Sequence, residues 1–429
     1  MPLKVGIVGM GYVGIPLMLS FTKNEYFQVI GFDIDAARVS MLNSGVSCIR
    51  HIPDADIAEQ ISLDKFRATT YFGDIIECHA VFICVPTPLN KNREPEMRHI
   101  VSAARSISPF LRKGMLVVLE STTYPGTTDE LLVRELATSS SLVAGRDFYL
   151  AFSPEREDPG NKRHSTKTTP KVVGGLTPAC TVEACRYYGL VMDMVVPVSG
   201  TRVAEMSKLL ENIFRSVNIA LVNEMKKLCD AMHIDIWEVI AAASTKPFGF
   251  MPFYPGPGLG GHCIPVDPFY LTWKAREYEL PTRFIELAGE INMTMPHYVV
   301  DKVAAALNLR KKAMYGSTVL VMGVAYKKDV DDVREAPALR IIQLLLEHGC
   351  NVFYYDEYVR NLPGMRDHDD EEMCSVYLDN DILRAADAVL IVTDHSNVDY
   401  QNVAMNAKLV VDTRNACRDV AKRDHIVKA

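Results

Sequence analysis

The sequence predicts the α/β class, with two doubly wound domains joined by a central helical region that contains one long helix. Three observations carry this expectation. The chain opens on an apolar strand, a glycine turn and a helix. A run from Thr201 to Lys246 holds neither Gly nor Pro. From Gly316 onward, apolar strands again alternate with helical segments. Such alternation builds parallel sheets with helices on both faces. At 429 residues the chain exceeds what one core holds, and the expected domains are 1–200, 201–307 and 308–429.

The first element, "LKVGIVGMGYVGIPLMLSF", sets Gly9, Gly11 and Gly14 in GxGxxG spacing between a strand and a helix. A second strand, "FQVIGFDID", follows, and Asp33 lies 19 residues after Gly14. This is the pattern of a Rossmann-like dinucleotide site. Gly11 lets the backbone approach a pyrophosphate at the helix N-terminus, and Asp33 accepts hydrogen bonds from the adenosine ribose. A plain tight turn without a ligand is the competing reading. The Asp33 carboxylate repels a 2′-phosphate, which favours NAD over NADP, although Arg38 nearby keeps that preference from being absolute.

Three further apolar strands end in small polar residues. "AVFICVPTP" runs to Thr87, "MLVVLESTTYPGTT" passes Ser121 and Thr122, and "FYLAFSPERED" reaches Glu155 and Arg156. Ligands of open parallel sheets bind beyond the carboxyl ends of the strands, so these residues should open on the crevice of the glycine turn. Each taken singly is equally a cap or turn residue. Glu155 is the better functional candidate, because no helix start follows it.

The segment "RVAEMSKLLENIFRSVNIALVNEMKKLCDAMH" reads as one amphipathic helix, with Val203, Met206, Leu210, Ile213, Val217 and Leu221 at helical spacing. Lys208 and Asn212 stand four apart and share a face. On an ordinary helix they would be a solvated lysine and a neutral amide. A helix of this length suits a domain or subunit interface. The next stretch, "PGPGLGGHCIPVDP" from Pro255 to Pro268, is too dense in Gly and Pro for helix or strand, and it holds Cys263 four residues before Asp267. A helical stretch follows over roughly 282–307. The last region reads strand, polar loop, helix, strand, with "DAVLIVTDH" and "AKLVVDTRN" as further strands. It lacks GxGxxG and carries Lys327, Lys328 and Arg334 in its first loop. That loop could hold a second phosphorylated ligand or be a solvated charged turn.

Composition narrows the function. With 46 Lys+Arg against 53 Asp+Glu the net charge is −7, which argues against a nucleic-acid partner. No apolar run approaches the roughly 20 residues of a membrane span. The N-terminus enters a strand at once instead of a signal segment, so a cytoplasmic protein is expected. The ten cysteines form no CxxC pair, so no metal or disulfide framework is expected.

Seven motifs in order now resemble one family along nearly the whole chain, the UDP-glucose/GDP-mannose dehydrogenases. They are "GMGYVG", "VPTP", "ESTTYPG", "SPER", "EMSKLLENIFRSVNIALVNE", "GPGLGGHCIPVDP" and "GVAYKKDVDDVRE". Within the family the chain looks most like the UDP-N-acetylglucosamine 6-dehydrogenases, on "CIRHIPD", "SPEREDPGN" and "GGHCIPVDPFYL". UDP-glucose, or an N-acetylated mannose or galactose epimer, stays open as the sugar. So does a binding-only sensor of nucleotide sugars, against which the intact reactive set argues.

The resemblance implies an NAD-dependent, four-electron oxidation of a UDP-sugar C6 alcohol to a carboxylate. Cys263 would add to the intermediate aldehyde and rebuild a hydride donor. Lys208 and Asn212 would support the oxyanion, Asp267 would activate water, and Glu155 and Thr122 would position it. Cofactor contacts are implied for Gly9, Gly11, Tyr12, Val13, Gly14, Asp33, Arg38, Pro86, Thr87, Thr122 and Arg334. Substrate contacts are implied for Glu155, Arg156, Lys208, Asn212, Tyr254, Gly258, Gly261 and Lys327. No metal is expected, and at least a homodimer through the central helix is.

Overall fold

The computed structural model describes residues 2–49, 52–90, 92–156, 166–261, 264–362, 373–421 and 424–429. It divides into two compact units: residues 1–211 with 269–281, and residues 212–268 with 282–429.

In the first unit the strands are β1 (Leu3–Val8), β2 (Phe27–Phe32), β3 (Phe66–Thr69), β4 (Ala80–Ile83), β5 (Leu116–Leu119), β6 (Tyr149–Phe152), β7 (Lys171–Gly175) and β8 (Val195–Val198). Among the described residues they form one sheet in the order β3-β2-β1-β4-β5-β6-β7-β8. All neighbours are parallel except β6 and β7. The 3-2-1-4-5-6 order is that of a dinucleotide fold, and its switch point lies between β1 and β4. The central strands read as unbroken apolar runs because helices cover both faces; β4 and β5 are buried at every position. One face packs Val5, Ile7 and Phe82 against Phe21 and Phe27. The other packs Val81, Ile83 and Val117 against Ile100 and Ile107.

The second unit holds β9 (Thr318–Met322), β10 (Asn351–Tyr355), β11 (Ala388–Ile391), β12 (Val410–Asp412) and β13 (Ile426–Lys428), ordered β10-β9-β11-β12-β13. All pairs are parallel. This 2-1-3-4-5 order is the other common doubly wound arrangement. The helix Arg283–Asn308 covers one face through Val299, Val303 and Leu307. The two sheets and the helical centre bear out the fold class expected from the sequence.

The long helix runs Thr201–Ala231 and is about 46 Å long at 1.5 Å per residue. A left-handed residue, His233, follows, and Asp235 caps the next helix, Ile236–Ala243, by accepting from Trp237 N at 3.0 Å. The long helix buries an unusual face. Glu205, Lys208, Asn212, Ser216 and Lys226 are buried, whereas Val203, Met206, Leu210, Phe214, Leu221 and Leu228 are exposed. The apolar stripe read from the sequence is therefore largely on the outside of the single chain.

Candidate active site

The glycine turn follows β1. A side chain on Gly9 (φ +95°) would stand 2.7 Å from the Cys84 carbonyl oxygen, and one on Gly14 would stand 2.0 Å from the Gly9 carbonyl oxygen. Both glycines are required by packing. Gly11 is not, because no described atom lies within 4 Å of where its Cβ would be. The helix Gly14–Thr22 begins beside this open space with no side-chain cap at Val13. Ile15 N donates to Gly11 O at 3.0 Å and Pro16 has no N–H, so it is the open space over Gly11 that fits a dinucleotide pyrophosphate. Tyr12 is exposed and Val13 half-buried in the same turn.

Asp33, after β2, accepts from Met10 N at 2.9 Å, Asp35 N at 3.0 Å and the Arg38 guanidinium at 3.0 Å. An ionised carboxylate has about four acceptor positions, which leaves room for a ribose hydroxyl. NAD supplies a hydride acceptor when bound here.

The strand ends are cross-tied. Glu120 N and Ser121 N donate to Ile83 O, and Ser153 N donates to Leu119 O at 3.0 Å. The Ser121 hydroxyl donates to Val85 O at 2.7 Å and steadies the turn that carries Pro86 and Thr87. The Thr87 carbonyl accepts the buried Tyr270 hydroxyl. Thr122 is half-buried at the start of the turn after β5.

Lys208 is a buried cation of this unit. Its ammonium donates to the Glu155 carbonyl oxygen and lies 3.4 Å from the Glu155 carboxylate. Arg156 donates to Glu211 and, at 2.9 Å, to Pro170 O. One residue escaped the sequence reading. Glu205, three positions before Lys208, is fully buried and accepts from Gly126 N at 2.7 Å, Thr128 N at 2.9 Å and the Thr128 hydroxyl at 2.7 Å. Burial pushes its carboxyl up to about 7, against the pull of those donors. The signal available in the sequence was an acid on the same helical face as Lys208.

The second unit assembles a different group. Buried Asn212 donates its amide to the Asp267 carboxylate, and its amide oxygen accepts from Arg215. Arg215 was also not singled out in the sequence; its spacing of three from Asn212 would have placed it there. Cys263, the expected nucleophile, and His262 lie outside the described residues, as do His51 in "CIRHIPD" and residues 157–161 of "SPEREDPGN". Of the loop around Cys263, Gly256 and Gly261 are close-approach positions. A Cβ on Gly256 would meet the Arg414 guanidinium at 2.5 Å, and one on Gly261 would meet the Tyr326 ring at 2.8 Å. Gly258 faces Pro337 and the Asn292 carbonyl oxygen. Gly261 N donates to Arg334 O at 3.0 Å.

Lys327 is half-buried in the loop after β9, and the Arg334 guanidinium clasps Asp332 at 2.6–3.0 Å. Tyr254 makes a different contact, stacking on Trp237 with ring centroids 5.7 Å apart. Arg414, at the carboxyl end of β12, donates to Val392 O at 2.9 Å and is a further cation that the sequence reading passed over.

Two doubly wound sheets, the first built to take a dinucleotide, define a nucleotide-dependent oxidoreductase class. The chain belongs to the UDP-glucose/GDP-mannose dehydrogenase family: its NAD binding domain profile matches residues 3–191, its central domain 202–294 and its UDP binding domain 320–419. It is similar to the UDP-N-acetyl-D-glucosamine 6-dehydrogenase of Pseudomonas aeruginosa, 36% identical over 368 residues and 85% of each chain. It is also similar to the UDP-N-acetyl-D-mannosamine dehydrogenase of Salmonella typhimurium, 33% identical over 96% of this chain and 99% of that one. Among solved structures, the UDP-D-ManNAc dehydrogenase of Pyrococcus horikoshii matches with a TM-score of 0.88 at 30% identity, covering 99% of this chain and 98% of that one. The protein is an NAD-dependent UDP-sugar dehydrogenase, an enzyme and not a binding-only sensor. Among the described residues no helix is long and apolar enough to cross a membrane.

Proposed function

We propose that the chain oxidises the C6 alcohol of UDP-N-acetylglucosamine to the carboxylate, using two NAD in turn. The observation that carries this reading is the burial of Lys208 against Glu155, with Asn212 bonded to Asp267 four residues along the same helix. Lys208 supports the developing oxyanion and serves as base while the first hydride leaves C6. The Cys263 thiolate then adds to the aldehyde carbon. The thiohemiacetal so formed carries a C–H bond that gives up the second hydride, leaving a thioester. Asp267 activates the water that hydrolyses it, with Glu155 and Thr122 holding that water in place. Asn212 steadies Asp267 and donates to the oxyanion. Residues 1–200 serve NAD through the glycine turn, Asp33, Arg38, Pro86 and Thr87. Residues 201–307 supply the reacting groups, and residues 308–429 hold the UDP end through Lys327 and Arg414. Arg334 closes against the cofactor, while Arg156, Tyr254, Gly258 and Gly261 line the sugar.

The Pseudomonas relative supports the glucosamine configuration. A second reading, UDP-N-acetylmannosamine, is supported by relatives matched along nearly their full length. The exposed Val203, Met206, Leu210 and Leu221 support a second copy of the chain packed on the long helix. A cytoplasmic location suits a biosynthetic enzyme of this kind.

A panel of UDP-N-acetylglucosamine, its mannose and galactose epimers, UDP-glucose and GDP-mannose, read by NADH formation, tests the sugar. The reading expects the glucosamine substrate to have the highest kcat/KM and two NADH per sugar. One NADH per sugar would remove the thiol cycle. Replacing Cys263 with Ala should abolish the second oxidation, and full turnover by that variant would return Cys263 to a loop thiol.

A further inference from the structure

Two consecutive carbonyls in the turn after β6 each accept an ammonium. The Glu155 carbonyl takes Lys208, and the Pro154 carbonyl takes Lys171 Nζ at 3.2 Å. Lys171 opens β7 and is only 6% exposed. A cation so buried is costly unless it is paired. Its counter-ion is Glu120, 1% exposed, whose carboxylate lies 2.5 Å from the ammonium. The other Glu120 oxygen accepts the hydroxyl of Tyr188, a fully buried residue ending the helix Pro178–Tyr188. The ammonium also sits 5.2 Å from the centre of the Tyr188 ring. Glu120 is itself fixed by its N–H to Ile83 O at 2.9 Å. Ser153, at the start of the turn, donates its hydroxyl to Val172 O at 2.8 Å.

Stability alone does not call for this arrangement, since a neutral, well-packed pair fills such a site as well or better. What the ions add is direction. Pro154 has no N–H, so its carbonyl is the only polar handle of that residue. The peptide unit is planar, and its N–H belongs to Glu155. Holding the Pro154 oxygen on a fixed ammonium therefore sets the plane from which Glu155 departs. The Glu155 carbonyl and carboxylate in turn hold the Lys208 ammonium. We propose that Lys171, neutralised by Glu120 and set over the Tyr188 ring, is a positioning residue for the Ser153–Glu155 turn and, through Glu155, for Lys208. This rests on the reading that Lys208 and Glu155 act at the sugar.

The test uses the full chain with NAD and the preferred UDP-sugar. Lys171→Met leaves Glu120 buried and unpaired. The double variant Glu120→Gln/Lys171→Met leaves a neutral pair. Unfolding midpoint, KM for each substrate and kcat are measured for both, with Lys208→Ala alongside. The double variant should regain the unfolding midpoint that the single variant loses. Its kcat should stay down on the order of 100-fold, the scale of a misplaced reacting group, with both KM values near wild type. Recovery of kcat together with stability would overturn the positioning role, and the double variant decides even if Lys171→Met does not fold. An inactive Lys208→Ala beside a fully active double variant removes this proposal alone. A fully active Lys208→Ala removes the underlying reading and this proposal with it.

Discussion

The turns after β1 and β9 share one brace and differ in what they leave open. In the first unit Gly9 (φ +95°) lies against the Cys84 carbonyl, and Met10 N donates to Asp33 at 2.9 Å. In the second, Gly323 (φ +78°) lies against the Thr393 carbonyl, and Val324 N donates to Asp356 at 2.7 Å. The acid after the second strand thus ties the first turn down in both units. Asp33 stops at three described donors. Asp356 accepts from Val324 N, Ala325 N, Tyr358 N, Val359 N and His395 Nε2, which saturates a carboxylate. Beyond the brace the first unit leaves open space over Gly11. The second has a ten-residue loop, Tyr326–Glu335, and a helix that begins with Pro337, which has no N–H to give. One brace therefore supports a dinucleotide site in the first unit and a purely structural acid in the second. On the proposed function, the UDP end would fall to cations such as Lys327 and Arg414 instead.

The largest effects expected separate brace from site. Ala at Gly9 or Gly323 forces a left-handed backbone and places Cβ 2.7 or 2.3 Å from a carbonyl oxygen. Each should cost about 3 kcal/mol or more in denaturant unfolding. Gly11→Ala should leave the unfolding midpoint unchanged and weaken NAD binding roughly tenfold or more. Equal destabilisation by Gly11→Ala would show that this glycine also serves packing.

The acids give the next contrast. Asp356→Asn turns an amide group towards buried N–H donors, and should cost about 3 kcal/mol with NAD affinity intact. Asp33→Asn should cost about 1 kcal/mol of stability and about tenfold in NAD affinity, measured by titration. The comparison breaks if Asp356→Asn weakens NAD binding, or if Asp33→Asn leaves it unchanged.

Much of this was legible because it is local. The GxGxxG spacing, Asp33 and the apolar runs of β1, β4 and β5 are written in contiguous residues. Strands β3, β7, β8 and β13 were not read. β7 begins on a lysine and ends on two glycines, because a Cβ on Gly174 would sit 2.2 Å from the Gly200 carbonyl oxygen. β8 and β13 are short edge strands, and β8 contains Pro197. The long helix was found with its period correct, but periodicity does not say which face the chain itself covers. The Lys208 and Asn212 face is the buried one. The Lys171–Glu120 pair joins residues 51 apart in sequence, so only folding brings it together.

A pH dependence also divides the two regions. Glu205 in the first unit is pushed by burial up to about 7, from an unfolded value of about 4.3. Between those values the folded chain binds more protons than the unfolded one. Its contribution is therefore complete below about pH 4.3 and is lost as pH rises through about 7, by at most about 1.4 kcal/mol per pH unit. Asp356 in the second unit behaves oppositely. Burial raises its pKa, but the His395 hydrogen bond and charge and the amides of Val324 and Ala325 outweigh burial and hold it below the ordinary aspartate value. Its contribution is present above about pH 3.9 and is lost as pH falls through the lower folded value. Unfolding free energy measured against pH should thus fall on the neutral side through the first unit and on the acid side through the second. Glu205→Gln should flatten the slope between about pH 5 and 7 without touching the acid limb. Hydrogen exchange of residues 126–132, whose turn Glu205 holds, should lose its pH-dependent opening in the same variant. An unchanged slope in Glu205→Gln would mean that the three donors keep Glu205 ionised, and the first unit would then be braced by a charged acid just as the second is.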